Sequence, residues 1–218
     1  MNIKIRFCLA LTAILFFSAC SRSVIKQYVP FDEERIRLSL EYMESHYGMT
    51  PDTPSILPKV VVVHWTAIPG FEESYRAFVN TRLPESRTAI KNASMLNVSA
   101  HYLIDRQGKI FQLMPDTLFG RHVIGLNHCA IGIENVGGRE KGLNNKQFRA
   151  NKWLIDQLID KHPIEYVIGH HEYQKFIGHP LWKEMDPDYL TQKSDPGDLF
   201  MNKMHRKLKK RGIKGSPE

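Results

Sequence analysis

Ten histidines in 218 residues are many, and a few of them stand where they could do chemistry. His64 ends the run Val60-Val61-Val62-Val63, His170 and His171 follow Ile168-Gly169, and Asp195 lies in Lys193-Ser194-Asp195-Pro196-Gly197. Two neutral imidazoles and a carboxylate fill three corners of a tetrahedral Zn²⁺ and leave the fourth open for water, the arrangement of a catalytic rather than a structural site. These segments are far apart, so no short spacing certifies the set, and the choice between His170 and His171 stays open. His171-Glu172 begins like H-E-x-x-H, but Lys175 occupies the second histidine position, which excludes two imidazoles on one helical face there. Glu134 is embedded in the apolar stretch Ile131-Gly132-Ile133-Glu134-Asn135-Val136. A carboxylate in such a strand is costly unless paired or functional, and burial would raise its pKa towards that of a useful general base. An edge-strand glutamate turned to solvent is the alternative. Cys129, beside Ala130-Ile131, reads as a small buried thiol rather than a nucleophile.

The elements that must position these groups follow from local pattern. Asp32 can cap a helix running to about Tyr47, with Ile36, Leu40, Met43 and Tyr47 on one face and Gly48 as its stop. Residues 60–65 are β-branched and apolar enough for a central strand, and a helix over about 72–80 follows. Residues 98–105 and 109–114, joined by Arg106-Gln107-Gly108, read as a hairpin, and 130–136 as another buried strand. Residues 145–162 form the strongest helical pattern, with Trp153, Leu154, Gln157, Leu158 and Lys161 as its stripe, and a short strand follows at 166–168. The spacing predicts a last helix opening at Asp195-Pro196, with the carboxylate as cap and Phe200, Met204 and Leu208 facing inward. Strands alternating with helices indicate the α/β class: a single domain with a central mixed β-sheet flanked by helices, plus an N-terminal helix.

At the N-terminus, Lys4 and Arg6 precede an eleven-residue apolar run, 7–17. As a helix it would cover about 16 Å, roughly half of the ~30 Å hydrocarbon core, so it reads as a secretory signal and not a membrane span. Ser18-Ala19-Cys20 resembles a lipobox, in which Cys20 receives a diacylglycerol and becomes the new N-terminus; Phe17 departs from the leucine usual there. Ser21, where Asp would signal retention, points by analogy with bacterial lipoprotein sorting to the outer membrane, facing the periplasm. Cys8 leaves with the signal and Cys20 is lipidated, so Cys129 has no partner for a disulfide. Thirty Lys and Arg against 23 Asp and Glu give a net charge of +7, which invites nucleic acid or a membrane surface as partner. Without residues 1–19 the balance is 28 against 23, and without 203–218 as well it is 21 against 22. The basicity is therefore a signal and a tail, and export speaks against nucleic acid. The tail reads as a solvated helix end, or as a contact for anionic lipid or wall polymer.

Six stretches recur here in a familiar order: Val-Val-His64-Trp-Thr, Ser99-Ala100-His101-Tyr102-Leu103-Ile104, Gly120-Arg121-His122-Val123-Ile124-Gly125-Leu126-Asn127, Ile131-Gly132-Ile133-Glu134, Gly169-His170 and Lys193-Ser194-Asp195-Pro196-Gly197. Together they resemble the zinc-dependent N-acetylmuramoyl-L-alanine amidases of the phage-lysozyme and peptidoglycan-recognition type, over about residues 59–200. The resemblance implies that His64, His170 and Asp195 hold Zn²⁺, with Glu134 and Lys193 as catalytic groups. His101, His122 and Asn127 stand at family positions where they would contact substrate or orient the ligands. Ala100 replaces the tyrosine of the phage and animal branch, which leaves the polar catalytic role to Glu134. Segment 172–192 is longer than the family's usual connection, and its Tyr173, Phe176, His179, Trp182 and Tyr189 would either stack on substrate or anchor the loop as a hydrophobic cluster. The implied organisation is a signal peptide (1–19), a lipid-anchored tether (20–31), an N-terminal helix and loop (32–58), the amidase domain (59–202) and a basic tail (203–218). The implied partners are peptidoglycan or muropeptides and, through the anchor, a membrane of the cell envelope, with the chain a monomer. A non-catalytic module that binds peptidoglycan on the same fold is the competing reading.

Overall fold

The computed structural model describes residues 22–85 and 93–218; Cys20 and the signal sequence expected over 1–19 lie outside the described residues. The most apolar strand is the central one. β2 (Val60–Val63) is four valines, all fully buried, the pattern of a strand paired on both sides and covered on both faces. It pairs in parallel with β5 (Ala130–Asn135) and with β6 (Tyr166–Gly169). β5 pairs in parallel with β3 (Tyr102–Ile104), which forms an antiparallel hairpin with β4 (Ile110–Gln112). β1 (Val24–Lys26) adds to β4 in parallel and completes the order β1-β4-β3-β5-β2-β6. This corrects the expected tether over 20–31. From Val24 onward it is an edge strand, continued by N–H bonds from Gln27 to the Gln112 carbonyl and from Val29 to the Leu113 carbonyl, each 2.9 Å. The open edge of β4 attracts it, a cause that lies elsewhere in the chain.

Four α-helices are present among the described residues: α1 (Glu33–Tyr47), α2 (Phe71–Val79), α3 (Asn145–Lys161) and α4 (Asp198–Leu208). Val61, Val63, Ile131 and Ile133 pack against α3 and α4 through Leu154, Ile155, Leu158, Met201 and Met204. The alternate residues Val60, Val62 and Ala130 face the other side, under Val123, Leu126, Tyr173 and Phe176. Strand alternation therefore carries His64 and Glu134 to this second face, at the C-terminal ends of β2 and β5. That is the end at which open α/β sheets receive ligands.

Helix α1 starts and stops as expected: the Asp32 carboxylate accepts from the Arg35 N–H at 2.8 Å, and Gly48 ends it at φ 61°. Its buried face is different. Leu38, Tyr42, Met43, His46 and Tyr47 are inside together with Arg35, while Ile36 is exposed and Leu40 half-buried. Arg35 Nη2 donates to the carbonyls of Phe78 and Val79 at 3.1 and 3.0 Å. Those are final carbonyls of α2, which lack helical donors, and satisfying them turns a charged residue inward. In α3 the stripe is likewise corrected, because Gln157 and Lys161 are exposed while Ile155 faces the sheet. Helix α4 opens at Asp198 with Gly197 in the cap position and no side-chain cap, so Asp195 is not the cap the sequence suggested.

A buried carboxylate ties the far end of α3 to the hairpin. Asp116 accepts from Tyr102 Oη, from Lys161 Nζ at 2.7 Å and from His162 Nε2 at 2.9 Å. Burial alone would raise its pKa, but the hydrogen bonds from Lys161, Tyr102 and His162 outweigh it and hold the carboxyl down to about 2. A depressed folded pKa gives stability that is complete above the unfolded value near 4 and is lost as pH falls through about 2. Asp116→Asn is thus expected to cost about 2 kcal/mol at pH 7. Urea unfolding checks it: the gap between wild type and variant should close as the pH is lowered towards 2.

Candidate metal centre

Parallel pairing makes the site. In the β2–β6 register Val63 lies opposite Gly169, so the next residues, His64 and His170, leave the sheet side by side. Their Nδ1 atoms are 2.9 Å apart, and Asp195 Oδ2 lies 3.3 Å from His64 Nδ1 and 3.2 Å from His170 Nδ1. All three residues are buried. Tetrahedral ligands about 2.0–2.2 Å from zinc stand roughly 3.3–3.5 Å from one another, so this triangle needs only small adjustments to take the ion. Two imidazole nitrogens and one carboxylate oxygen are also a donor set of the three-ligand kind that leaves a coordination position open.

The protonation states favour the same outcome. Burial and the neighbouring His64 lower the His170 pKa to about 4. Burial would raise the Asp195 carboxyl, yet His170 and His64 hold it far below the ordinary carboxylate range. Both therefore present lone pairs at neutral pH, as metal binding requires. A third histidine sets the tautomer of the first. His122 Nε2–H donates to the Ala130 carbonyl at 3.1 Å, and burial, then His64 and His101, keep this imidazole neutral with its pKa well below the usual value. Its Nδ1 is then an acceptor, and takes the hydrogen of His64 Nε2 at 3.1 Å. His64 Nδ1 is left bare, pointing at Asp195 and His170. Asn127 fixes His122 in turn, its Oδ1 accepting from the N–H groups of His122 and Val123 at 2.9 and 2.8 Å. Gly132 makes room, since a Cβ there would stand 2.8 Å from the His122 ring. His122→Phe is expected to lower metal affinity about 10–100-fold, read by chelator competition, because His64 loses the acceptor that orients it.

The remaining residues sort by where they point. His171 turns away: its Nδ1 meets the Asp195 backbone carbonyl at 3.0 Å and its Nε2 the Asp198 carboxylate at 2.9 Å. His101 does not reach the cleft. Its Nε2 donates to the Leu118 carbonyl at 2.9 Å and its Nδ1 accepts from the Gly132 N–H at 3.0 Å, so both nitrogens serve the backbone. Glu134 and Lys193 line one cleft of about 210 Å³ with His64, His170 and Asp195, walled by Trp65, Thr66 and Phe78. Trp65 stands beside His64 in the first of the six family-like stretches, whereas Phe78 carries no sequence signal for the cleft.

The sequence profile of the N-acetylmuramoyl-L-alanine amidase family (Amidase_2) matches residues 52–198, two thirds of the chain, and spans every residue of this cluster. The chain belongs to that family. Among solved structures, the N-acetylmuramoyl-L-alanine amidase LysC from Clostridium intestinale URNW is 18% identical with a TM-score of 0.52, covering 89% of this chain and 100% of its own. A selenomethionine derivative of AmpD is 21% identical with a TM-score of 0.52, covering 85% of this chain and 93% of its own. These likenesses concern the fold. No curated protein sequence matches the chain.

In this amidase the long segment 172–192 is a packed strap. Tyr173 and Phe176 are buried in a cluster with Trp182 and Tyr189, and Tyr173 Oη donates to the Thr191 carbonyl and accepts from the Thr191 N–H, both at 2.8 Å. The aromatics thus anchor the segment that leads to Lys193 and Asp195. Helix α1 holds it from the other side: His46 Nδ1 meets the Glu184 carboxylate at 2.8 Å, and the Met185 N–H donates to the His46 carbonyl at 3.0 Å. A separation of 138 residues carried no sequence signal for that pair. Cys129 is buried, and burial pushes its thiol up to about 12, consistent with a packing role.

Proposed function

We propose that this amidase is a zinc enzyme that cuts the bond between the lactyl carbonyl of N-acetylmuramic acid and L-alanine, in intact peptidoglycan or in muropeptides. The observation that carries the reading is the convergence of His64, His170 and Asp195 at the end of a cleft that Glu134 and Lys193 also line. Zinc held by those three residues supplies Lewis acidity toward the scissile carbonyl and toward water. Glu134 acts as base: its carboxylate takes a proton from the attacking water and returns it to the alanine nitrogen as the C–N bond breaks. Lys193 donates a charged hydrogen bond to the oxyanion that forms on the lactyl carbonyl oxygen. His122 and His171 touch no reacting atom; one orients His64, the other the Asp195 backbone.

Full-length protein incubated with muropeptides should release free stem peptide, stop when a chelator is added, and recover with added zinc. Muropeptide bound but uncut under metal-replete conditions would instead make the domain a recognition module. The same proposal places the chain in the cell envelope, held by a lipid on Cys20 in the outer membrane and facing the periplasm. Its support is the sequence from Lys4 to Ser21. A palmitate analogue should label the wild type and leave Cys20→Ala unlabelled.

A further inference from the structure

The tether and the catalytic groups leave the sheet at the same end. β1 runs parallel to β4, and therefore opposite in direction to β2, β5 and β6. Its register sets Val24 on Ile110, Ile110 on Ile104 and Ile104 on Asn135, level with the strand end that bears Glu134. Cys20 lies four residues before Val24, a reach of at most about 14 Å of extended chain. A lipid on Cys20 thus holds the β1 corner of this end close to the headgroups. The basic tail is at the opposite end, where Lys214 bridges to Tyr166 at the start of β6.

The surface around that corner has matching charge. Lys109 in the hairpin, Arg139 and Lys141 after β5, and Lys146 and Arg149 in the first turns of α3 are all exposed, and none forms an ion pair among the described residues. Basic residues elsewhere are often spent, as Arg82 is on Glu34, Lys152 on Asp156 and Arg211 on Asp160. The acidic groups at this end are partly spent. Asp105 Oδ1 accepts from the N–H groups of Gln107 and Lys109, Asp198 pairs with His171, Glu73 in the first turn of α2 pairs with Arg76, and Glu72 and Glu140 remain exposed against the five basic residues. Leu199, 89% exposed in the first turn of α4, stands at the same end and offers an apolar side chain to an interface.

The geometry points to this face as a docking surface for an anionic phospholipid bilayer, with the cleft opening beside the membrane instead of away from it. The inference rests on the lipid-anchor reading above, and it means that the wall material within reach is the layer nearest the bilayer. The far-end lysines 207, 209 and 210 then face away from the lipid.

The test uses Cys20→Ala protein, so that the lipid does not dominate binding, sedimented with phosphatidylcholine vesicles with and without phosphatidylglycerol. Binding should need the anionic lipid and weaken with salt. Each basic residue near such a surface contributes about fivefold, so K109Q/K146Q/R149Q should lower partitioning about 100-fold, while K207Q/K209Q/K210Q changes it less than about twofold. Both triple variants should cut soluble muropeptides like wild type. Equal losses in the two triples, no preference for phosphatidylglycerol, or a loss confined to binding of isolated cell-wall sacculi would overturn the proposal. Palmitate labelling of the wild type separates the two readings. Label on Cys20 without anion-selective binding removes the surface and keeps the anchor; binding without label removes the anchor and keeps the surface.

Discussion

Glu134→Gln should lower kcat by a factor of about 10²–10⁴ while the protein keeps its full complement of zinc. The substitution preserves size and removes the only property the proposed reaction needs from this residue, a carboxylate able to take a proton and give it back. Glu134 sits on β5, beside but outside the donor triangle, whose nearest atoms come from His64, His170 and Asp195. Metal content by elemental analysis and turnover of muropeptides should therefore separate cleanly. Zinc lost in parallel with activity would place Glu134 among the ligands and leave the reaction without its base. Glu134→Asp, which retains the carboxylate but shortens its reach, should recover part of the rate.

His170→Ala should release the metal and abolish turnover, whereas His171→Ala should keep stoichiometric zinc. Adjacent in sequence, the two imidazoles diverge in space because Gly169 ends β6 and the chain turns at once into the 3₁₀ helix His170–Phe176. One ring follows the strand face and meets His64 Nδ1 at 2.9 Å; the other holds the Asp195 carbonyl at 3.0 Å. Loss of His171 should weaken affinity through a loosened Asp195, measurable by chelator competition, but leave three donors. Equal zinc content in the two variants, measured after dialysis, would refute this ligand assignment.

Local signals hold at several element ends and in the buried strand, while the inward faces of α1 and α3 depart from them. Asp32 and Gly48 bound α1, the valines of β2 declare a central strand, and the helical period over 145–162 matches α3 at Asn145–Lys161. These signals depend on contacts within about four residues, or on a burial pattern that a single strand carries by itself. The errors share a different cause. Arg35 is buried because α2 leaves carbonyls without donors, Val24–Lys26 is a strand because β4 has an open edge, and Asp195 is not a cap because two imidazoles 25 and 131 residues away claim its carboxylate.

The sequence by itself determined the residue types available for chemistry, the family resemblance that ordered them, and the division of charge into a basic N-terminal segment, a nearly neutral body and a basic tail. The tertiary structure decided which groups meet. The parallel register of β2 and β6 brings His170 and not His171 against His64, the Ala130–His122–His64 chain of hydrogen bonds bares His64 Nδ1, and the direction of β1 sets Val24 level with the strand end that bears Glu134. The physical reason is that strand register and tautomer are set by hydrogen bonds between segments far apart in the chain, which no window of neighbouring residues contains.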